Sequence, residues 1–543
     1  MRKKFLLSAI LISALCLCGC NAQITFGDST EQGSQNEQVS ESQNDSVENL
    51  QDGSQNNDTE VTEQVQTSKY LDVSVDKRYD ADYDQITLMN GNCCLFELDA
   101  PEYPALEEAV AQYNAETEQN WIVSMNDLKS WAREDYNAAV AEEYEFYGPY
   151  VSEDEMYIVR ADDKVLSAVT ENYWYSGGAH GMSGYSAVNF DVQTGRVLAV
   201  EDVISNTAAL PNALATELIE QYPHLATTVQ DMWSMSLEDY LASYLTPEEA
   251  DDITPEFTWT LGYEEITFYF GAYEIGSYAD GNQVVVLTYN EYPELFNKEY
   301  FTGVTQDYVV QILPFWYGEE GFTDINGDGV MDMIIIDGNY SSEYEMFTSL
   351  TVTVNGNTYS HDAYYYELTS YLVKANGNTY VYVERLGDSD FRTVSVFKIT
   401  ESSVEYVGDA DGGIIDFNNS ADFGFEKRFD MLSTFNGVAR CFVGDDGMPV
   451  EKGGSYEITG EVIITSTVEI TAELVDENGN LLGESKTFPA GTEFTFDTTD
   501  GMTYVDMNTS EGPRCRLYTS NEWPPTVNGM DAQNSFVMLW YAS

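Results

Sequence analysis

Helical periodicity stops at about Phe301, and no other feature of the sequence constrains the fold as strongly. Upstream, apolar residues recur at three- and four-residue spacing, as in Leu106, Val110 and Tyr113, between runs that alternate like strands. Downstream only short alternating runs remain, such as 351–354 and 379–384. Turn residues separate them: Asn355-Gly356 and Asn376-Gly377 open a repeated Asn-Gly-Asn-Thr-Tyr, and each Asn-Gly suits a type I′ hairpin. The chain is therefore expected to build an α+β N-terminal domain, its mixed or antiparallel sheet carrying helices on one side, followed by all-β domains. The boundaries read as 69–301 for the α+β domain, 302–435 for a β-rich region and 436–543 for a C-terminal β-sandwich-like domain.

Within the first domain, 70–75 and 94–98 read as strands. Pro101 and Pro104 precede a helical region reaching about Tyr144, with a break expected before the face formed by Met125, Leu128, Ala132, Tyr136 and Val140. Further helices are expected over 208–222 and 237–245, then a hairpin turning at Gly262. Near the C-terminus, 462–464 and 468–474 read as strands, and 476–480 as a hairpin tip.

Ahead of these domains, residues 1–19 have the form of an export signal: Arg2-Lys3-Lys4, then an apolar run from Phe5 to Leu17 too short to span a bilayer. The following Leu17-Cys18-Gly19-Cys20 resembles a bacterial lipoprotein box, which makes Cys20 the acceptor of diacylglycerol and the anchor to the outer face of a bacterial membrane. Residues 20–68 contain no Lys or Arg and little apolar surface, so they read as a disordered acidic tether. The whole chain carries 93 acidic against 23 basic residues, a net charge of −70. A surface this acidic excludes nucleic acid as a partner, since phosphate contacts need Lys and Arg. It would attract cations or a basic protein, or simply keep an exported protein soluble.

The residues 173–203, YWYSGGAHGMSGYSAVNFDVQTGRVLAVEDV, read as a strand, a glycine-rich crossover and a hairpin leading into a helix start. Gly177, Gly178 and Gly181 bracket His180, which is more glycine than a simple turn requires. This stretch, with 102–114 and 268–289, resembles the extracytoplasmic domain shared by the anti-sigma factor RsiV and the peptidoglycan deacetylase PdaC. The likeness covers about 69–301. It implies recognition rather than chemistry: the RsiV domain binds lysozyme, and the PdaC domain accompanies a separate deacetylase. Lysozyme or peptidoglycan are the partners it suggests, in a Gram-positive type of envelope. No anti-sigma segment or deacetylase sequence accompanies the domain here.

Beyond that resemblance, Asp324, Asn326, Asp328 and Asp332 place oxygen side chains at every second or fourth position around Gly327, with the Val330 carbonyl between them. That spacing suits a calcium ion with a structural role. Ile335 stands where an EF-hand needs Glu, so the loop resembles the calcium hairpins of FG-GAP or VCBS-type β-repeats. Cys441 and Cys515 flank most of the terminal domain and, in an exported protein, are expected to form a disulfide.

No catalytic residue is assigned. His180 lacks a G-x-S-x-G elbow, and nothing in the spacing of His180, His224 and His361 suits a metal. The leading expectation is a non-enzymatic, lipid-anchored surface protein recognising a wall glycan or a lysozyme-type basic protein. A peptidoglycan hydrolase using His180 as base and a purely structural envelope protein are the alternatives.

Overall fold

The computed structural model describes residues 70–245, 256–301, 307–315, 318–328, 330–510, 512–519, 523–537 and 539–541. The chain from Ser68 onward forms one compact unit. The export signal, Cys20 and the tether lie outside the described residues.

The first sheet holds β1 (Asp72–Asp84), β2 (Ile86–Asp99), β3 (Tyr150–Ala161), β4 (Val165–Tyr175) and β5 (Met182–Asp191), in that order. β2 and β3 run parallel, Met89 opposite Tyr150, and every other pair is antiparallel, so the sheet is mixed as expected. Parallel neighbours need a long connection. It is supplied by α1 (Pro104–Glu142), 39 residues without a break. One end of α1 buries Leu106 and Val110 among Phe96, Val188 and Phe190. Further along, Met125, Leu128 and Ala132 pack on Leu88 and Met89. The expected interruption is absent, and Val140 points to solvent while Ala139 is buried. Each four-residue step drifts about 40° around a helix, so by Val140 that stripe has left the sheet.

The glycine-rich crossover is a correction too. β4 and β5 are antiparallel, with Trp174 opposite Met182, so the loop between them closes a hairpin. After β5, Gly195 adopts φ 70° against the Ala105 backbone at the start of α1, where a side chain has no room.

A second, three-stranded sheet contains β6 (Thr258–Leu261), β7 (Glu265–Phe270) and β8 (Gln283–Thr288). After the short α2 (Val200–Val203), it packs with α3 (Leu210–Gln221), α4 (Leu225–Trp233) and α5 (Leu237–Ser243). Leu214, Leu218, Val229, Leu241, Phe268 and Phe270 share that core. No helix was expected at α4, where Thr227 and Thr228 lower intrinsic propensity. Burial of Leu225 and Val229 overrides it.

The β-rich region follows: β9 (Tyr308–Gln311), β10 (Leu313–Phe315), β11 (Gly318–Thr323), β12 (Asp332–Asp337), β13 (Tyr340–Ser341), β14 (Met346–Val354), β15 (Asn357–Tyr365), β16 (Glu367–Ala375), β17 (Asn378–Leu386), β18 (Arg392–Thr400) and β19 (Ser403–Asp411). One sheet runs β10-β11-β12-β14-β13 with β15 on β14, and the other β19-β18-β17-β16-β9. Both Asn-Gly pairs have positive φ at both residues, as a type I′ turn requires. The last strands, from Gly413–Ile415 to Phe536–Val537, belong to one larger sheet system, except Thr526–Val527 and Met530–Asp531, which form a two-stranded sheet of their own. Its pairing of Phe429 with Phe435 continues across position 435/436.

Cys441 and Cys515 do not pair. Both are free buried thiols, and they sit in different hydrophobic cores. Burial pushes Cys441 up to about 11 and Cys515 up to about 12. Flanking a domain in sequence does not bring two strands together in space.

The β6–β7 turn joins the first domain to the β-rich region. Tyr263 stacks on Tyr308 at 4.5 Å, and Lys374 Nζ donates to Glu264 Oε1 at 2.7 Å and to the Asp324 carbonyl at 2.8 Å. Behind the turn, fully buried Arg160 pairs with Asp162 at 2.9 Å and donates to the Gly262 carbonyl.

Candidate recognition site

The glycine-bracketed histidine stands on the loop between β4 and β5. Gly177 and Gly178 take φ of 82° and 122°, which residues with a Cβ rarely adopt. A side chain on Gly177 would also meet the Tyr150 hydroxyl at 2.7 Å. Tyr150 is held from behind, its hydroxyl donating to Asp135 of α1. Gly181 is buried beneath the Tyr173 ring.

Facing this loop is the connection between β7 and β8. Its Tyr278 ring stacks on His180 with centroids 3.9 Å apart and planes 29° apart. The Tyr278 hydroxyl donates to the Gly181 carbonyl at 3.2 Å, and Tyr273 lies 5.6 Å from Tyr278. His180 Nδ1 also approaches the Gly181 carbonyl, at 2.9 Å. A carbonyl can only accept, so Nδ1 carries a proton in this contact. Tyr173, Tyr273 and Tyr278 are all about two-fifths exposed, at 42%, 45% and 38%.

Polar contacts fix the facing loop in place. Asp280 accepts the amide and hydroxyl of Ser277 at 2.6 and 2.7 Å and approaches His224 Nε2 at 3.1 Å. The Ser277 hydroxyl, with further help from its amide and from His224, holds the Asp280 carboxyl below the usual range. Glu274 accepts Gly271 N–H at 2.8 Å and the Tyr244 hydroxyl at 2.7 Å, and its burial raises its pKa. Ser183 donates to Asn282 Oδ1 at 3.2 Å. The arrangement sets the Tyr273, Tyr278 and His180 rings side by side, with hydroxyl and imidazole edges between them.

Sequence reasoning singled out Gly177, Gly178, His180 and Gly181, missed Tyr273 and Tyr278, and named His224 only as one of three histidines without a shared metal. The Ser277–Asp280 capping box and the density of tyrosine around it are the signals that could have found them.

The Asp324 loop lies elsewhere, between β11 and β12. Asp324 Oδ1 accepts the amides of Gly327 and Asp328, Asp328 Oδ1 that of Val330, and Asp332 Oδ2 that of Ile325. Asn326 donates to Asp328 and to Glu401, a further carboxylate that sequence spacing did not reveal. Among the described residues no three His, Cys, Asp or Glu side chains converge as a metal cage, so as placed these residues form a hydrogen-bonded turn. The donor set is all oxygen, which is the kind calcium takes.

Comparison with known proteins bears on the first domain. Residues 89–183 match the family model described as deacetylase PdaC, and residues 201–290 match that of a protein of unknown function, DUF3298. The chain carries a PdaC domain and a DUF3298 domain. In these terms His180 sits near the end of the PdaC match, and Tyr273 and Tyr278 lie in the DUF3298 match. The ring cluster thus forms where the two meet. A crystal structure of a DUF3298 family member from Bacteroides fragilis NCTC 9343 is 18% identical, with TM-score 0.30, covering 42% of this chain and 94% of that one. Another, from Pseudomonas aeruginosa PAO1, is 17% identical, with TM-score 0.26, covering 42% and 96%. No curated protein matches the sequence. Neither family model reaches the Asp324 loop.

Proposed function

We propose that this chain is a lipid-anchored, extracytoplasmic recognition protein that holds a wall glycan on the rings around His180 and breaks no bond in it. The observation that carries the reading is the placement of His180 itself. Its Nδ1 is tied to a backbone carbonyl and its ring is stacked on Tyr278, so it is fixed as one wall of an aromatic surface. A general base needs a nucleophile within hydrogen-bond reach, and the nearby hydroxyl of Ser183 is turned to Asn282. Partly exposed tyrosines, with the Tyr278 hydroxyl held on the Gly181 carbonyl, suit a sugar, whose C–H face lies on a ring while its hydroxyls meet polar edges. The PdaC and DUF3298 domains support an envelope setting. The export signal and Cys20 support anchoring on the outer face of the membrane.

Co-sedimentation with purified peptidoglycan sacculi tests this. The native chain is expected in the pellet, and Tyr273→Ala/Tyr278→Ala in the supernatant. Equal retention of both would overturn the reading. The net charge of −70 favours a second reading, capture of a lysozyme-type basic protein. Lysozyme retention that falls steeply with salt would support it. We also propose that the Asp324 loop holds a structural calcium through Asp324, Asn326, Asp328, Asp332 and the Val330 carbonyl.

A further inference from the structure

The turn between α4 and α5 leaves six consecutive residues, Asp231 to Ser236, exposed. Among them Met232, Trp233 and Met235 are 39%, 45% and 38% exposed. The core beneath closes without them on Leu225, Val229, Leu237 and Leu241. Large apolar side chains left together in water mark a contact surface, whereas scattered ones do not.

Three residues of chain reach about 11 Å at most, so these side chains bound one patch. The backbone that carries them is fixed at both ends. Ser234 closes α4 with φ 59°, its amide donating to the Gln230 carbonyl at 3.0 Å, and Ser236 Oγ caps α5 by accepting the Asp239 amide at 3.0 Å. The Trp233 ring stacks on Tyr240, with centroids 5.4 Å and planes 15° apart, and the Tyr240 hydroxyl donates to the Glu274 carbonyl at 3.1 Å. The indole is thus braced on the helix pair while part of it stays in water. Asp231 on this turn, with Glu238 and Asp239 in the first turn of α5, is exposed beside it. No cation from the surrounding sequence offsets them: residues 201–290 hold 16 Asp and Glu and no Lys or Arg.

Charge and apolar surface together select the occupant. Carboxylates without a neighbouring cation repel anionic bilayers, nucleic acid and other polyanions, and a neutral ligand gains nothing from them. A cation with no apolar face would leave the indole and the thioethers in water. The partner that uses both features carries Lys or Arg on one side and apolar side chains on the other. Methionine suits such a face, because its unbranched, polarizable chain adapts to whatever it meets, and an amphipathic helix presents its apolar residues along one stripe. We propose that the α4–α5 turn is a docking surface for a cationic amphipathic helix, with Met232, Trp233 and Met235 against its apolar stripe and Asp231, Glu238 and Asp239 against its ammonium or guanidinium groups. A folded basic protein keeps its apolar side chains inside, so this surface is distinct from capture of a lysozyme-type partner. It does not depend on the rings around His180.

Anisotropy titration of the full chain with a fluorescein-labelled Leu/Lys peptide of about 14 residues, four helical turns with one apolar stripe, tests the proposal. A scrambled peptide of the same composition, its leucines spread around the helix, is the comparison, and it is made on the native protein alone. The amphipathic peptide is expected to bind about tenfold more tightly than the scrambled one and to gain helical circular dichroism as it binds. Met232→Gln/Trp233→Gln/Met235→Gln, all changes at exposed positions, should weaken it about tenfold. Asp231→Asn/Glu238→Gln should also weaken it and flatten its dependence on salt. Equal affinity of the native protein for both peptides would reduce the attraction to net charge and overturn the surface. Equal affinity of the native and triple-glutamine proteins for the amphipathic peptide would place binding elsewhere and overturn it too, as would no binding by the native protein.

Discussion

The Gly181 carbonyl receives two donors, His180 Nδ1 and the Tyr278 hydroxyl, and this one atom ties the two rings together. Tyr278→Phe keeps the ring stack but removes one donor, and should cost about 0.5–1.5 kcal/mol in a urea denaturation series. Tyr278→Ala also loses the stack and should cost about 0.5–1.5 kcal/mol more. Gly177→Val faces the left-handed backbone and the Tyr150 hydroxyl at once, and a loss of about 1–3 kcal/mol is expected from the strain alone. Ligand binding should suffer in all three. The histidine and its glycines were visible in the sequence because glycine clusters have few other uses. The tyrosine partners were not, because they lie about a hundred positions later and only the pairing of distant loops brings them in.

Elements with a strong period were legible, and those whose placement depends on tertiary contact were not. The helical character of 104–142 and the two Asn-Gly hairpins follow from local pattern alone. The helix Leu225–Trp233 and the absence of a break in the long helix follow from what those faces are packed against, which no window of sequence contains. The same limit defeated the disulfide between Cys441 and Cys515. For the hairpin around Asp324, calcium at about 1 mM should raise the melting temperature, as extracellular calcium modules do in that range. Asp324→Asn/Asp332→Asn should abolish the rise, and an unchanged melting curve for the native protein would remove the ion from the account. At the junction between domains, Lys374→Met leaves Glu264 without its cation. Because Glu264 is still partly exposed, a loss of about 1–3 kcal/mol is expected from chemical denaturation.

Charge governs the molecule as a whole. Burial pushes Asp154 up to about 6, Glu265 up to about 7, with Glu264 adding to it, and Glu319 up to about 8. A carboxyl whose folded pKa lies above its unfolded one binds its proton more tightly when folded. The stability it contributes is present below the unfolded value and is lost as pH rises through the folded value. Self-repulsion at a net charge of −70 acts in the same direction. Melting temperature should therefore fall steadily between about pH 5 and pH 8, and a flat or rising profile would show that these acids are solvated. Composition alone predicted the acidity but not which carboxylates lie in the core. The central claim is that the rings around His180 bind wall polymer without cleaving it. The most direct measurement incubates the full chain with sacculi and follows bound protein and released soluble muropeptides or acetate in one experiment. The account predicts saturable retention with nothing released, retention weakened by Tyr278→Ala. Steady release that ceases in His180→Ala would contradict it.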